Sequence, residues 1–205
     1  MYRLLDLYSK PYDPNNPTIC MDEKSKQLIS DTREPIAMKP GKSEKIDYEY
    51  KRNGTMNIFA AVEPLAGKHI LKVTKTRKRS DFAIFIKELV TKNYHAAEKI
   101  NIVCDNLNTH FEKSFYETFQ RDEADTILKK INFYYTPKHA SWLNMAEIEI
   151  NMVDTECIGR RIPSEKVLRE EIEEWQKKAN EQKRKINWSF TKRDAYNKMS
   201  HHYVA

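Results

Sequence analysis

The chain reads as an α/β protein: a mixed five-stranded sheet flanked by helices. Three observations predict this. Five short runs rich in β-branched and apolar residues recur along it, at 18–22, 56–62, 69–74, 100–104 and 131–135. Only turn-like or polar sequence separates the first three, so they read as neighbouring antiparallel strands. From residue 80 onward strand and helix patterns alternate, and such crossovers place strands parallel to one another.

The elements follow in order. Residues 1–10 read as the end of a helix, with Leu4, Leu5 and Leu7 near one face, and Pro11 to Pro17 stops it. A start in mid-helix suggests a longer protein whose N-terminal module is lost or encoded elsewhere. We therefore divide the chain into a linker helix and linker (1–17), a core domain (18–162) and a C-terminal helical tail packed on it (163–205). Residues 24–54 are polar and hold Pro35, Pro40 and Gly41, which predicts a long loop ending in a hairpin turn at Asn53-Gly54. Pro64 to Lys68 turns between the next two strands. Ser80-Asp81 is expected to cap a helix with Phe82, Ile84, Phe85, Ile86, Leu89 and Val90 near a helical period. Phe111 to Lys130 predicts one or two helices. Trp142 to Ile158 predicts one helix closed near Gly159. Ser164 opens another, through Val167, Leu168, Ile172 and Trp175. Trp188, Phe190 and Tyr196 are expected to dock the tail.

Composition narrows the function. Of 205 residues, 40% are hydrophobic and 32% charged, which suits a folded domain with a very polar surface. A net charge of +6 fits either an ordinary lysine-rich surface or a polyanionic partner. Cys20, Cys104 and Cys157 lack metal or redox spacing, and the first two read as small core residues. No apolar run approaches the roughly 20 residues of a membrane span, and no secretory signal is legible, so the cytoplasm is expected and no membrane partner.

Three acids carry the chemistry. Asp105 ends the apolar run Ile-Val-Cys-Asp-Asn-Leu-Asn-Thr-His (102–110), and Asp22 ends Thr-Ile-Cys-Met-Asp (18–22). Glu147 lies at a helix start in Ser-Trp-Leu-Asn-Met-Ala-Glu-Ile-Glu-Ile (141–150). Two strand-end aspartates and one helical glutamate can converge on hard divalent cations, which prefer oxygen ligands. Two such ions about 3.5–4 Å apart hold the attacking and leaving oxygens of a phosphoryl displacement. Taken singly, a strand-end acid more often caps the following turn. Glu23 points to the opposite strand face from Asp22, which suits a structural role. Asn106 and His110 would orient a carboxylate or touch a phosphate, or else belong to a polar loop capping the next helix. Lys72, Lys75, Arg77, Lys78 and Arg79 form the densest basic cluster, and Lys138 and His139 precede the glutamate helix. Both groups fit DNA phosphates or a solvated loop. Lys177, Lys178, Lys183, Arg184 and Lys185 alternate with acids, as on a solvated helix. Trp142 fits a core anchor better than a platform for an extruded base.

The blocks Cys20-Met-Asp-Glu-Lys-Ser-Lys-Gln-Leu28, Asp105-Asn-Leu-Asn-Thr-His110 and Tyr135-Thr-Pro-Lys-His-Ala-Ser-Trp-Leu-Asn-Met-Ala-Glu-Ile-Glu-Ile150 occur in this order. With them the chain resembles, over nearly its whole length, the catalytic half of mariner-superfamily transposases of the insertion sequence 630 type. The resemblance implies an RNase H-like fold and a DDE-type DNA transposase, and the stretch from Asp105 to Glu147, longer than in the eukaryotic relatives, implies a surface insertion around 120–130. Asp22, Asp105 and Glu147 would be its catalytic and metal-binding acids, holding two Mg²⁺ or Mn²⁺ ions. Glu149, about 200° further round the helix, would be the ligand only on a shifted alignment. The resemblance also implies double-stranded DNA as partner (transposon ends, and targets containing TA), a homo-oligomer on DNA, and a bacterial, nucleoid-associated setting. Relatives carry N-terminal helix-turn-helix modules, so a separate polypeptide would supply end recognition. The rival expectations are a catalytically idle fragment that binds DNA or interferes with intact transposase, and a host nuclease of the same fold.

Overall fold

The computed structural model describes residues 1–199, so the last six residues of the expected tail lie outside the described residues. Its strands are Thr18–Asp31 (β1), Tyr50–Glu63 (β2), Lys68–Thr74 (β3), Ile100–Cys104 (β4) and Ile131–Tyr135 (β5). They form one sheet in the order β3-β2-β1-β4-β5. β2 runs antiparallel to β1 and β3, whereas β4 runs parallel to β1 and β5. The fold is RNase H-like, with the mixed sheet the pattern predicts. The helices are Tyr2–Tyr8 (α1), Arg79–Glu88 (α2), Lys113–Tyr116 (α3), Arg121–Leu128 (α4), Ala146–Val153 (α5), Glu165–Glu181 (α6) and Lys192–Met199 (α7).

All five residues of β4 are buried, because it has a strand on either side and helices on both faces. Each large aliphatic there contributes about 1.5–3 kcal/mol by leaving water. Alternation divides the core. Ile19, Met21, Phe59, Ile102 and Cys104 face α2, α3 and α4. Cys20, Val62 and Val103 face the other way, against α1, Leu143, Met145, Ala146 and Ala195. A third cluster joins Leu28, Ile58 and Val73 to Val153, Ile158, Leu168, Ile172 and Trp175. Cys20 and Cys104 are core residues, as expected. α4 buries Ala124 and Ile127 against the sheet, so residues 120–130 are a packed helix rather than a surface insertion.

The segment 24–54 departs from the expected loop. β1 continues to Asp31 and β2 starts at Tyr50, so the two strands run on as a long arm. The arm is held by its backbone ladder and by Leu28, which apolar periodicity alone does not register. Asn53-Gly54 is not the turn. Between the pairs Gln27↔Thr55 and Ile29↔Arg52, Leu28 faces two residues of β2. That is a β-bulge, and Gly54 takes it at φ +101°. The chain reverses instead in 32–49, with a tight turn between Lys39 and Lys42 and Gly41 at φ +74°.

At the C-terminal end, Ser164 caps α6 by accepting the Val167 N–H. α6 covers β3, the edge strand. Gln176 accepts the Leu71 N–H at 2.6 Å, and Asn180 accepts the His69 N–H at 2.8 Å and donates to its carbonyl at 2.9 Å. These amides complete an edge that would otherwise be open to pairing. Trp188 and Phe190 pack on the core as predicted. Tyr196 does not: it is 66% exposed, and Ala195 is the buried contact of α7. Among the described residues, no helix is long and apolar enough to cross a membrane.

Candidate active site

Parallel pairing of β1 with β4 aligns Cys20 with Val103. Two residues further along each strand stand Asp22 and Asp105. Both share the face of Cys20 and Val103, because side chains alternate with period two. Asp22 lies within β1 and Asp105 one residue past the end of β4, so the two carboxylates stand at neighbouring places of the sheet, near enough for their charges to repel.

Each is held by one oxygen. Asp22 Oδ1 accepts the Glu23 N–H at 2.8 Å. Asp105 Oδ1 accepts the Leu107 N–H at 3.0 Å and the His110 Nδ1–H at 2.7 Å. The second oxygen of each remains without a hydrogen-bond partner among the described residues. Burial, with repulsion from Glu23 and Asp105, pushes the Asp22 carboxyl up to about 6 despite the Glu23 amide. The His110 hydrogen bond holds Asp105 below the ordinary carboxylate range.

The third acid lies on α5, which packs against β1 and β2. The helix expected over 142–158 is broken: Ser141–Leu143 is a 3₁₀ turn, α5 starts at Ala146, and 154–158 is a π-helical turn. Asn144, fully buried, causes the late start. It donates to the Met21 carbonyl at 2.9 Å and accepts the Ala146 N–H at 3.1 Å. One side chain thus ties the beginning of α5 to the residue before Asp22. Tyr8 adds a hydrogen bond to the Leu143 carbonyl at 2.8 Å. Glu147 stands exposed in the first turn of α5, where the helix dipole favours negative charge. Glu149 is buried and its side chain is turned away from solvent. Among the described residues, no three His, Cys, Asp or Glu side chains stand close enough to hold an ion unaided. The donor chemistry does fit a hard divalent cation: all the candidate donors are carboxylate oxygens, and two are already adjacent.

Behind Asp105 lies His110, wholly buried. Its Nε2 meets Glu23 Oε1 at 2.7 Å, and its ring stacks on Phe82 at 4.8 Å between centroids. Burial opposes its charge. Hydrogen bonds to Asp105, Cys104 and Glu23 outweigh that and push its pKa up to about 12. Glu23 thus has the structural position its strand face implied. Asn106 is exposed and donates to the Thr136 carbonyl, linking the loops after β4 and β5 rather than orienting a carboxylate.

The basic candidates lie at the same end of the sheet. β3 runs parallel to β1 and ends at Thr74, so Lys75, Arg77 and Lys78 follow it on the side where β4 ends in Asp105. All three are exposed. Arg79 differs: it makes a two-pronged ion pair with Glu117, both contacts at 2.9 Å, and so joins α2 to α3. Lys138 and His139 are exposed just after β5, with His139 at φ +61°. Trp142 is 41% exposed and stacks on Trp188, partway between anchor and platform. Asn144 was missed from sequence; a lone amide in the apolar stretch Trp-Leu-Asn-Met-Ala was its only signal.

Residues 17–169 match the family described as DDE superfamily endonuclease. The chain belongs to that family. No protein of curated function matches it by sequence. Among solved structures, this DDE endonuclease chain is similar to the Mos1 mariner paired end complex with Mn, at TM-score 0.53 and 15% identity, covering 89% of this chain and 54% of that one. It is also similar to the Mos1 transposase paired-end complex with left transposon end, at TM-score 0.54 and 14% identity, covering 91% and 60%. The chain therefore spans little more than half the length of these relatives, and at such identity they bear on the fold alone.

Proposed function

We propose that this chain is the catalytic domain of a DNA transposase. It would cut phosphodiesters at transposon ends and join the freed 3′-hydroxyls to target DNA. What supports this is Asp22 on β1 beside Asp105 at the end of its parallel neighbour β4, with α5, whose first turn bears Glu147, packed against β1, in a member of the DDE endonuclease family. Similarity to Mos1 complexes with Mn and with a transposon end supports metal and DNA as partners.

Asp22, Asp105 and Glu147 would hold two Mg²⁺ or Mn²⁺ ions, whose positive charge assists in-line displacement at phosphorus. The chain's own residues prepare the site. The Leu107 amide and His110 fix one oxygen of Asp105, so the other can face a cation. His110, held positive between Asp105 and Glu23, offsets part of the acidic charge before any ion arrives. The raised pKa of Asp22 marks a carboxylate short of positive charge, as a site made for cations should be. Lys75, Arg77, Lys78, Lys138 and His139 would contact DNA phosphates beside it. A homo-oligomer on paired ends, with a separate helix-turn-helix polypeptide recognising them, completes the proposal.

Nicking of supercoiled plasmid with Mg²⁺ or Mn²⁺ tests it. The parent should nick, while Asp22→Asn, Asp105→Asn and Glu147→Gln should each lose nearly all activity yet keep the parent's circular dichroism. Equal activity in parent and Asp105→Asn would end this reading.

A further inference from the structure

The motif Ala146-Glu-Ile-Glu-Ile150 holds two acids with opposite fates. Glu147 is exposed; Glu149, two residues on, has no exposed surface. Its Oε1 lies 2.8 Å from His69 Nδ1, on β3, and that ring is equally buried. The other ring nitrogen, Nε2, lies 3.0 Å from the Arg184 carbonyl. A carbonyl only accepts, so Nε2 carries a hydrogen. One further proton lies between Nδ1 and Glu149, and the pair is neutral overall whichever atom holds it. Glu149 Oε2 has no hydrogen-bond partner among the described residues. A buried acid joined by a single hydrogen bond is costly to keep in a core, and a neutral apolar residue there would ordinarily be more stable.

The pair's neighbours show what it connects. Asn180 grips the His69 backbone through both its N–H and its carbonyl. The Trp175 ring meets the His69 ring edge-on at 5.8 Å. Glu156, from the turn after α5, accepts from Trp175 Nε1 at 2.8 Å and from Arg184 at 2.6 Å. Gly67 admits this arrangement: a Cβ there would lie 2.5 Å from the Lys183 carbonyl group. α5 is thus fastened at two points. Asn144 holds its start to β1, and Glu149 holds the end of its first turn to β3 and, through His69, to the segment after α6. Two fixed points on an eight-residue helix set its rotation and tilt, and hence where Glu147 stands relative to the strand acids.

We propose that Glu149, through His69, is a positioning residue for Glu147, and that residues 175–184 thereby form part of the catalytic apparatus. This rests on reading Glu147 as a cation ligand.

The test compares Glu149→Gln, Glu149→Asp and Glu149→Ala with the parent and with Glu147→Gln. Mn²⁺ binding is measured by calorimetry, folding by circular dichroism and nicking as a function of Mn²⁺. Gln can donate to Nδ1 of a neutral His69 and preserve the link, so it should bind Mn²⁺ as the parent does. Ala breaks the link and should weaken Mn²⁺ binding about 10–100-fold, the usual cost of losing a residue that orients metal ligands. Asp shortens the reach by one methylene and should fall between. A folded Ala variant that binds Mn²⁺ like the parent overturns the inference. If Ala does not fold, Asp decides in the same two directions. If Gln falls with Ala, the pair acts by charge rather than by placement, which also overturns the inference. Glu147→Gln separates the two questions: if it binds and nicks like the parent, the reading of Glu147 has failed, whatever the Glu149 series shows.

Discussion

Two buried histidine–glutamate pairs flank the candidate site. His110–Glu23 lies on one side of the sheet and His69–Glu149 on the other, at 2.7 and 2.8 Å. They differ in what the second ring nitrogen does. His110 spends it on Asp105, so the pair holds a candidate ligand directly. His69 spends it on a main-chain carbonyl, so the pair holds an element and reaches the site only through a helix. One arrangement orients a carboxylate; the other orients the scaffold that carries one.

The comparison is broken most forcefully at His110. In His110→Leu, Glu23 keeps a nearly buried carboxylate without its partner, and Asp105 loses its firmest hydrogen bond. Removing one member of a buried ionic pair costs about 3–5 kcal/mol. Urea unfolding should show a loss of that size. Addition of Mn²⁺ should recover less stability than in the parent, because Asp105 is no longer held for the ion. Full recovery would mean that His110 supports only the core.

The other pair is tested from a distance at Gly67. Gly67 has φ +66°, and an added Cβ meets backbone of Lys183 and Arg184, which cannot rotate away. Gly67→Ala should cost about 1–3 kcal/mol in left-handed strain alone, with the displaced Arg184 carbonyl adding to it. Gly54 is the control. Its φ is also positive, but open space surrounds it. Gly54→Ala should therefore cost less in thermal unfolding; equal losses would show that the contact between Gly67 and Lys183 carries no weight.

How much of this was legible in the sequence follows the same division. Asp22, Asp105 and Glu147 could be proposed from sequence because each stands in a local pattern, a strand end or a helix start, and because the surrounding blocks are specific. The five strands were readable from apolar runs. The extension of β1 to Asp31 was not, since Lys24, Ser25, Lys26 and Gln27 are held by a ladder to β2 that no local period records. Asn53-Gly54 gave the right backbone signal but the wrong element, because a bulge and a hairpin turn both call for a positive φ. The His69–Glu149 pair joins residues 80 positions apart, and spacing along the chain carries no trace of it. Arg79 looked like its basic neighbours until Glu117, 38 residues away, was placed beside it.

Asp22 sharpens the contrast between a held carboxylate and a strained one. Its pKa stands near 6 in the folded chain because burial and neighbouring acids disfavour its charge. The folded state therefore binds this proton more tightly than the unfolded state. Stability falls as pH rises from the ordinary carboxylate range through about 6, and the whole penalty is present at pH 7. Metal-free Asp22→Asn should thus be more stable than the parent at pH 7, by up to about 3 kcal/mol, and lose that advantage near pH 4. Saturating Mn²⁺ should reverse the order at pH 7, since only the parent can bind it there. Asp105 should show the opposite trend without metal: its pKa is lowered by His110, so Asp105→Asn should destabilise the protein at pH 7.

The smallest effect expected is at Arg79, and it separates structural from DNA-facing cations in one cluster. Arg79 is paired with Glu117 at a partly exposed surface, where such pairs contribute about 0–1 kcal/mol. Arg79→Ala should lower stability by no more than that and leave DNA affinity nearly unchanged, because its guanidinium is already engaged. Arg77→Ala and Lys78→Ala should do the reverse. Each should leave stability alone, weaken binding to any duplex alike, and reduce the slope of log affinity against log salt by about one. If Arg79→Ala lowers that slope as much as its neighbours do, the ion pair opens when DNA arrives, and α2 and α3 separate at that corner to let it in.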